Sequence, residues 1–136
     1  MITAVDTSIL LDLLGPDPVF GPASANALRV ALAEGSLVAC EVVWAEVAGM
    51  FPSSGAAEKG MSRLGLGFSA VTPGTAFEAG QVWKAYRERG GPRMRIAAKF
   101  LIGAHALLQA DRLLARDRGF YRTYFKRLPI LDPAKL

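Results

Sequence analysis

Apolar and polar positions switch period repeatedly along this chain, and the switches predict short strands alternating with helices. Ile2–Val5 is a β-branched apolar run that reads as a buried strand ending at Asp6-Thr7-Ser8. Thr7 or Ser8 is placed to cap a helix over Ile9–Leu14, which Gly15 stops. Asp17-Pro18 and Gly21-Pro22 mark a loop, and Ala23–Glu34 carries helical spacing at Ala27, Leu28, Ala31 and Leu32. Leu37–Cys40 predicts a second strand, Glu41–Phe51 a helix followed by Pro52, and Ser54–Leu64 a helix of small residues. Gly65–Gly67 breaks the chain before a predicted third strand over Phe68–Val71. Pro73 opens a long amphipathic helix to Arg89, with an apolar stripe of Phe77, Ala79, Val82, Trp83 and Tyr86, and Gly90-Gly91-Pro92 closes it. Ile96–Ala110 predicts a strongly apolar helix containing Lys99, Gly103 and His105. Arg112–Ala115 reads as a strand, Gly119–Phe125 as a helical turn and Leu128–Leu131 as a last strand before Pro133.

This alternation predicts a three-layer α/β fold with a mainly parallel central sheet. Residues 1–136 read as one domain, with no linker, low-complexity tract or internal repeat. Apolar residues make up 51% of the chain, which places it among globular rather than disordered sequences. No apolar run reaches the length of a membrane span. Met1 leads straight into the first strand without a basic n-region or cleavage site, and Cys40 is the single cysteine. The expectation is a cytoplasmic protein without a signal peptide or internal disulfide.

Three acids stand alone at the edges of apolar segments: Asp6 after the first strand, Glu46 within Val43-Trp44-Ala45-Glu46-Val47, and Asp117 after Leu113-Leu114-Ala115-Arg116. Burying a carboxylate costs several kcal/mol unless a positive group compensates it. In open parallel sheets ligands collect at the carboxyl ends of the strands, and all three acids fall at that edge. A shared Mg²⁺, which takes hard oxygen ligands and keeps waters, is the simplest compensation, and it would serve phosphate-ester cleavage. Each acid also has a plainer reading: Asp6 as a helix cap, Glu46 as a surface position, Asp117 as a turn or ion-pair residue.

Charge sharpens the picture. Residues 1–80 hold 3 basic and 8 acidic side chains, a net −5, and residues 81–136 hold 13 and 4, a net +9. A basic C-terminal portion beside acidic residues suits a polyanion held next to a metal, and a single basic stretch also serves as a solvated face.

Four segments in order carry a family resemblance: Val5-Asp6-Thr7-Ser8-Ile9-Leu10-Leu11-Asp12, Ala39-Cys40-Glu41-Val42-Val43-Trp44-Ala45-Glu46-Val47, Phe100-Leu101-Ile102-Gly103-Ala104-His105-Ala106 and Ala115-Arg116-Asp117-Arg118-Gly119-Phe120-Tyr121. Together they resemble the PIN-domain ribonucleases, specifically the VapC-like toxins of toxin–antitoxin pairs. The resemblance implies a PIN-like three-layer sandwich, Mg²⁺- or Mn²⁺-dependent endoribonuclease activity and a VapB-like antitoxin as partner. It maps Asp6, Glu46 and Asp117 onto family acids and Ser8 onto a supporting hydroxyl. The family carries a further acid before the third segment, and here that position is Lys99. A protonated amine has no lone pair for a metal, and it is expected to pair with Asp6 or Asp117 where the cation would stand.

The resulting expectation is an RNA-cleaving toxin impaired by Lys99, with Arg112, Arg116 and Arg118 as phosphate contacts. Two rivals are an inactive module that binds antitoxin or RNA, and a Mg²⁺-dependent phosphatase. The apolar excess in Ile9–Leu14, Val42–Phe51 and Gly60–Leu66 predicts an antitoxin surface and a homodimer. His105, inside an apolar helix, reads as a packed, hydrogen-bonded residue rather than a catalyst. Gly103 and Ala104 read as permitting close packing of helix on sheet. The aromatics Phe120, Tyr121, Tyr124 and Phe125 suit either RNA stacking or core packing.

Overall fold

The computed structural model describes residues 1–90, 97–116 and 119–136. Gly91, Pro92, Ile96, Asp117 and Arg118 of the sequence expectations lie outside them. In chain order the elements are β1 (Ile2–Val5), α1 (Thr7–Leu14), α2 (Gly21–Glu34), β2 (Ser36–Ala39), α3 (Glu41–Val47), α4 (Ser54–Arg63) and β3 (Leu66–Phe68). They continue with α5 (Pro73–Glu88), α6 (Ala97–Gln109), β4 (Arg112–Leu114), α7 (Phe120–Tyr124) and β5 (Ile130–Leu131).

Local chemistry accounts for the helix starts. Ser53 Oγ accepts from the Ala56 N–H at 3.1 Å to cap α4, and Thr72 Oγ1 accepts from Thr75 N–H at 3.2 Å to cap α5 ahead of Pro73. The five strands pair in the order β3-β2-β1-β4-β5, every pair parallel. Thr3, Ala4 and Val5 are all buried on β1. Successive strand side chains point to opposite faces, so both faces of the sheet are covered, as a three-layer α/β arrangement requires. No helix among the described residues is long and apolar enough to cross a membrane.

The strand order fixes where a ligand can sit. From β1 the chain builds outward through β2 and β3, then returns to β4 on the other side. The crevice between the carboxyl ends of β1 and β4 is the topological switch point, where open α/β sheets bind their ligands. Asp6 lies there, with its backbone N–H bonded to Leu114 O at 2.9 Å.

Several elements depart from the expectations. The third strand is Leu66–Phe68, earlier than Phe68–Val71. Gly65 turns the chain at φ +78°, so the strand begins directly after it, and beyond Ser69 the backbone leaves the sheet, with Val71 N–H donating to Glu41 Oε1 at 2.9 Å. The helix from Glu41 is α-helical only to Val47 and tightens into a 3₁₀ turn over Ala48–Met50. On α5, Ala79 and Tyr86 are buried, whereas Phe77 is 69% exposed and Trp83 lies at the surface. Neither Thr7 nor Ser8 caps α1: the N-cap position is Asp6, and its side chain makes no cap bond.

Gly103 also packs differently. A methyl group there would come within 2.4 Å of the buried Phe125 ring, so the residue admits that ring against α6 rather than the helix against the sheet. Gly103→Ala is expected to destabilise the fold by about 1–3 kcal/mol through overpacking, although alanine is the better helix former. Thermal denaturation of the two proteins checks this, and an unchanged or raised Tm would show that Phe125 yields freely.

Candidate active site

Asp6 ends β1 with its side chain 8% exposed, facing a cleft of about 460 Å³. Its Oδ2 accepts from Ser8 Oγ at 2.6 Å, and its Oδ1 accepts from Tyr121 Oη at 2.8 Å. Those bonds explain why the carboxylate does not cap α1. Glu46, on the last turn of α3, lines the same cleft and accepts from Thr7 Oγ1 at 2.7 Å through Oε1. Lys99 on the first turn of α6 completes the wall, together with Arg116 and Phe120. Three hydroxyls thus orient two carboxylates, and Lys99 lines the same cleft.

The structure therefore brings Asp6, Ser8, Glu46 and Lys99 into one cleft at the switch point, while Asp117 lies outside the described residues. Glu46 is exposed rather than buried: it flanks the buried stripe of Val43 and Val47 on α3, at the mouth of the cleft. Lys99 does not pair with Asp6. Its ammonium sits over the Phe120 ring at 5.3 Å from the centroid.

Two predicted phosphate contacts are committed elsewhere. Arg112 begins β4, at the opposite edge of the sheet, where its Nε donates to Thr3 Oγ1 at 2.9 Å and its Nη2 lies 3.2 Å from Glu34 Oε2. Arg116 lies at the cleft, but its fork grips Asp12 through Nε at 2.8 Å and Nη2 at 3.0 Å. Arg118 lies outside the described residues. Thr7, Tyr121 and Asp12 are the polar residues that sequence reasoning missed. Asp12, 3% exposed, offered the same signal as Glu46, a carboxylate among apolar neighbours in Leu10-Leu11-Asp12-Leu13-Leu14.

Among the described residues no group of three or more His, Cys, Asp or Glu side chains is arranged to hold a metal ion. Asp6 and Glu46 are hard oxygen donors that fit Mg²⁺ or Mn²⁺. The Lys99 ammonium beside them does not fit such an ion. Cys40 offers no alternative nucleophile, since it is buried and burial pushes its thiol pKa up.

His105 is packed at 1% exposure with Nε2 3.0 Å from Ser69 Oγ. Burial lowers its pKa from the ordinary 6.5, against smaller raising effects of Glu41 and Ser69. The neutral ring is thus the folded form, and its contribution to stability is full above pH 6.5 and lost as pH falls through the lowered folded value. Thermal melts are expected to drop as pH falls below 6.5, with a shallower drop in His105→Gln. Parallel curves for the two proteins would place the acid sensitivity elsewhere.

The aromatics resolve mostly into packing: Tyr121 and Phe125 are buried, while Phe120 and Tyr124 are half-buried and line surface concavities.

The fold is similar over its whole length to solved structures. VapBC-1 of nontypeable Haemophilus influenzae aligns at TM-score 0.69 and 19% identity, covering 98% of this chain and 99% of that one. FitAcB of Neisseria gonorrhoeae aligns at 0.69 and 17%, covering 100% of both chains. VapBC2 of Rickettsia felis, bound to a DNA fragment from its promoter, aligns at 0.68 and 19%, covering 97% and 98%. No curated protein matches the chain. The PIN domain family model matches residues 3–126, a span that holds β2, β3, β4, most of β1 and the cleft at the switch point but not β5, and the chain belongs to the PIN domain family.

Proposed function

We propose that this protein is a VapC-like toxin: a divalent-metal-dependent endoribonuclease held in check by a partner antitoxin and impaired in its own catalysis by Lys99. The observation that carries the reading is the cleft at the β1–β4 switch point, which two oriented carboxylates line together with Lys99. Asp6 and Glu46 would hold the cation with Asp117 as a third acid, and Mg²⁺ or Mn²⁺ would supply an activated water and stabilise charge on the phosphate. Ser8 and Tyr121 fix the rotamer of Asp6, and Thr7 fixes that of Glu46. Lys99 adds an attraction for the substrate phosphate while opposing the metal.

Partner binding has its own support. A groove of about 680 Å³ runs between α3 and α4, lined by Trp44, Phe51, Ala57 and Phe68. Phe68 is 58% exposed on β3, the end strand of the sheet, and the buried Trp44 indole N–H has no acceptor among the described residues. An apolar helical segment bearing one acceptor fits that groove. Much of the expected apolar excess is core, since Ile9, Leu10, Met61 and Leu66 are buried. A homodimer would draw on what stays exposed, such as Phe77 on α5.

The test is RNA cleavage by the chain and by Lys99→Asp at high Mn²⁺. Slow cleavage by the first and faster cleavage by the second are expected, both abolished by Asp6→Asn with Tm nearly unchanged. No cleavage by either protein at any metal concentration would overturn the nuclease reading in favour of the inactive binding module, which Lys99 itself favours. Cleavage of small phosphate esters but not of RNA would favour a phosphatase.

A further inference from the structure

We infer that a second groove, lying along α7 away from the acidic cleft, binds the flank of a single-stranded RNA whose scissile segment lies in that cleft. This inference rests on the nuclease reading. The groove has a volume of about 620 Å³ and is walled by α5, α6 and the chain following α7. Arg89, Lys126 and Arg127 line it, all three exposed, against one acidic liner, Glu78. None of the three cations is held in an ion pair among the described residues, unlike Arg112 and Arg116. A polyanion is therefore the complementary occupant.

Continuity with the cleft argues for RNA over an acidic peptide. Phe120 lines the cleft and Tyr124 lines the groove, one helical turn apart on α7, with ring centroids 5.0 Å apart. A half-buried aromatic edge thus runs from one concavity into the other. Leu108, 54% exposed, lies in the groove and adds an apolar surface for a base. Cations that track a backbone beside aromatic and apolar surface for bases are the features of single-strand binding without sequence readout. Three of the thirteen basic side chains of residues 81–136, Arg89, Lys126 and Arg127, line this groove, while Arg112 and Arg116 are internal struts.

The experiment is fluorescence anisotropy with a labelled, uncleavable 2′-O-methyl oligonucleotide in chelator, so that neither metal nor cleavage enters. The proteins are the full chain, the triple variant Arg89→Ala/Lys126→Ala/Arg127→Ala, and a charge-matched control, Arg29→Ala/Lys59→Ala/Arg63→Ala, at exposed positions outside the groove. The groove variant is expected to bind at least about tenfold more weakly, and the slope of log affinity on log salt to fall by about 2. The control is expected to change little. Leu108→Glu, which places a negative charge in the groove at an exposed position, is expected to weaken binding alone, and it keeps the test open if the triple variant folds poorly. Equal binding by all proteins, or equal weakening by both triple variants, would overturn the groove while leaving the nuclease reading intact. Loss of antitoxin capture without loss of RNA binding would likewise overturn it and assign the groove to the protein partner. No RNA binding by the full chain would also overturn the groove, while the Mn²⁺ cleavage assay decides the nuclease reading by itself.

Discussion

Lys99→Asp is expected to tighten Mn²⁺ binding by about tenfold to a hundredfold, with Lys99→Ala in between. The exchange swings two unit charges at the wall of a cleft that already holds the Asp6 and Glu46 carboxylates. Unit charges about 4 Å apart interact by ~4 kcal/mol at an effective dielectric near 20, and a divalent ion doubles each interaction. Lys99 is exposed, so water and salt screen much of that, and one to two decades is the share expected to survive. The alanine variant removes repulsion without adding a ligand, so the step from alanine to aspartate isolates direct coordination. Because the ammonium rests on the Phe120 ring and not on Asp6, its removal should change the stability of the metal-free protein only modestly. Titration calorimetry with Mn²⁺ reads all three affinities independently of cleavage. Equal affinities would place Lys99 outside the reach of the ion and remove the physical reason for calling the chain impaired.

The same residues show what the sequence could convey. β1 was legible to the residue because Ile2–Val5 is a bounded β-branched run, and Asp6 could be placed at a strand end for that reason alone. The position of Lys99 followed from an intact surrounding motif, and it does line the cleft. β3 was misplaced because Gly67 dilutes the apolar signal of a three-residue strand at the sheet's end, where backbone pairing to β2 carries it. The hydroxyls were invisible as a set, since Tyr121 reaches Asp6 across 115 positions and Thr7 reaches Glu46 across 39. Arg116 illustrates the same limit. Beside Asp117 it looked like a phosphate contact, and only the fold shows that its guanidinium is held by Asp12, 104 positions away.

That pair carries the largest expected stability effect. Asp12 is the buried carboxylate of α1, and its Oδ2 accepts from Ser24 Oγ at 2.7 Å as well as from Arg116. The Arg116 guanidinium lies 4.0 Å above the Phe20 ring, and Asp17 Oδ1 holds that loop by accepting from Val19 and Phe20 N–H, each at 2.8 Å. α1, α2 and the end of β4 are thereby tied at the rim of the cleft. Arg116→Met leaves the Asp12 side chain, 4% exposed, with Ser24 as its remaining partner. Breaking a buried pair from one side costs about 3–5 kcal/mol, which lowers Tm by about 10–20 °C in a domain of this size. Asp12→Leu should cost less, because the Arg116 side chain retains 25% exposure and its stacking on Phe20. The double variant Asp12→Leu/Arg116→Met should recover part of the loss, since no buried charge then lacks a partner. Denaturant unfolding of the four proteins gives the coupling energy directly. Additive losses would mean that the two side chains stabilise the fold independently, and that the rim of the cleft is held by packing rather than by this ion pair.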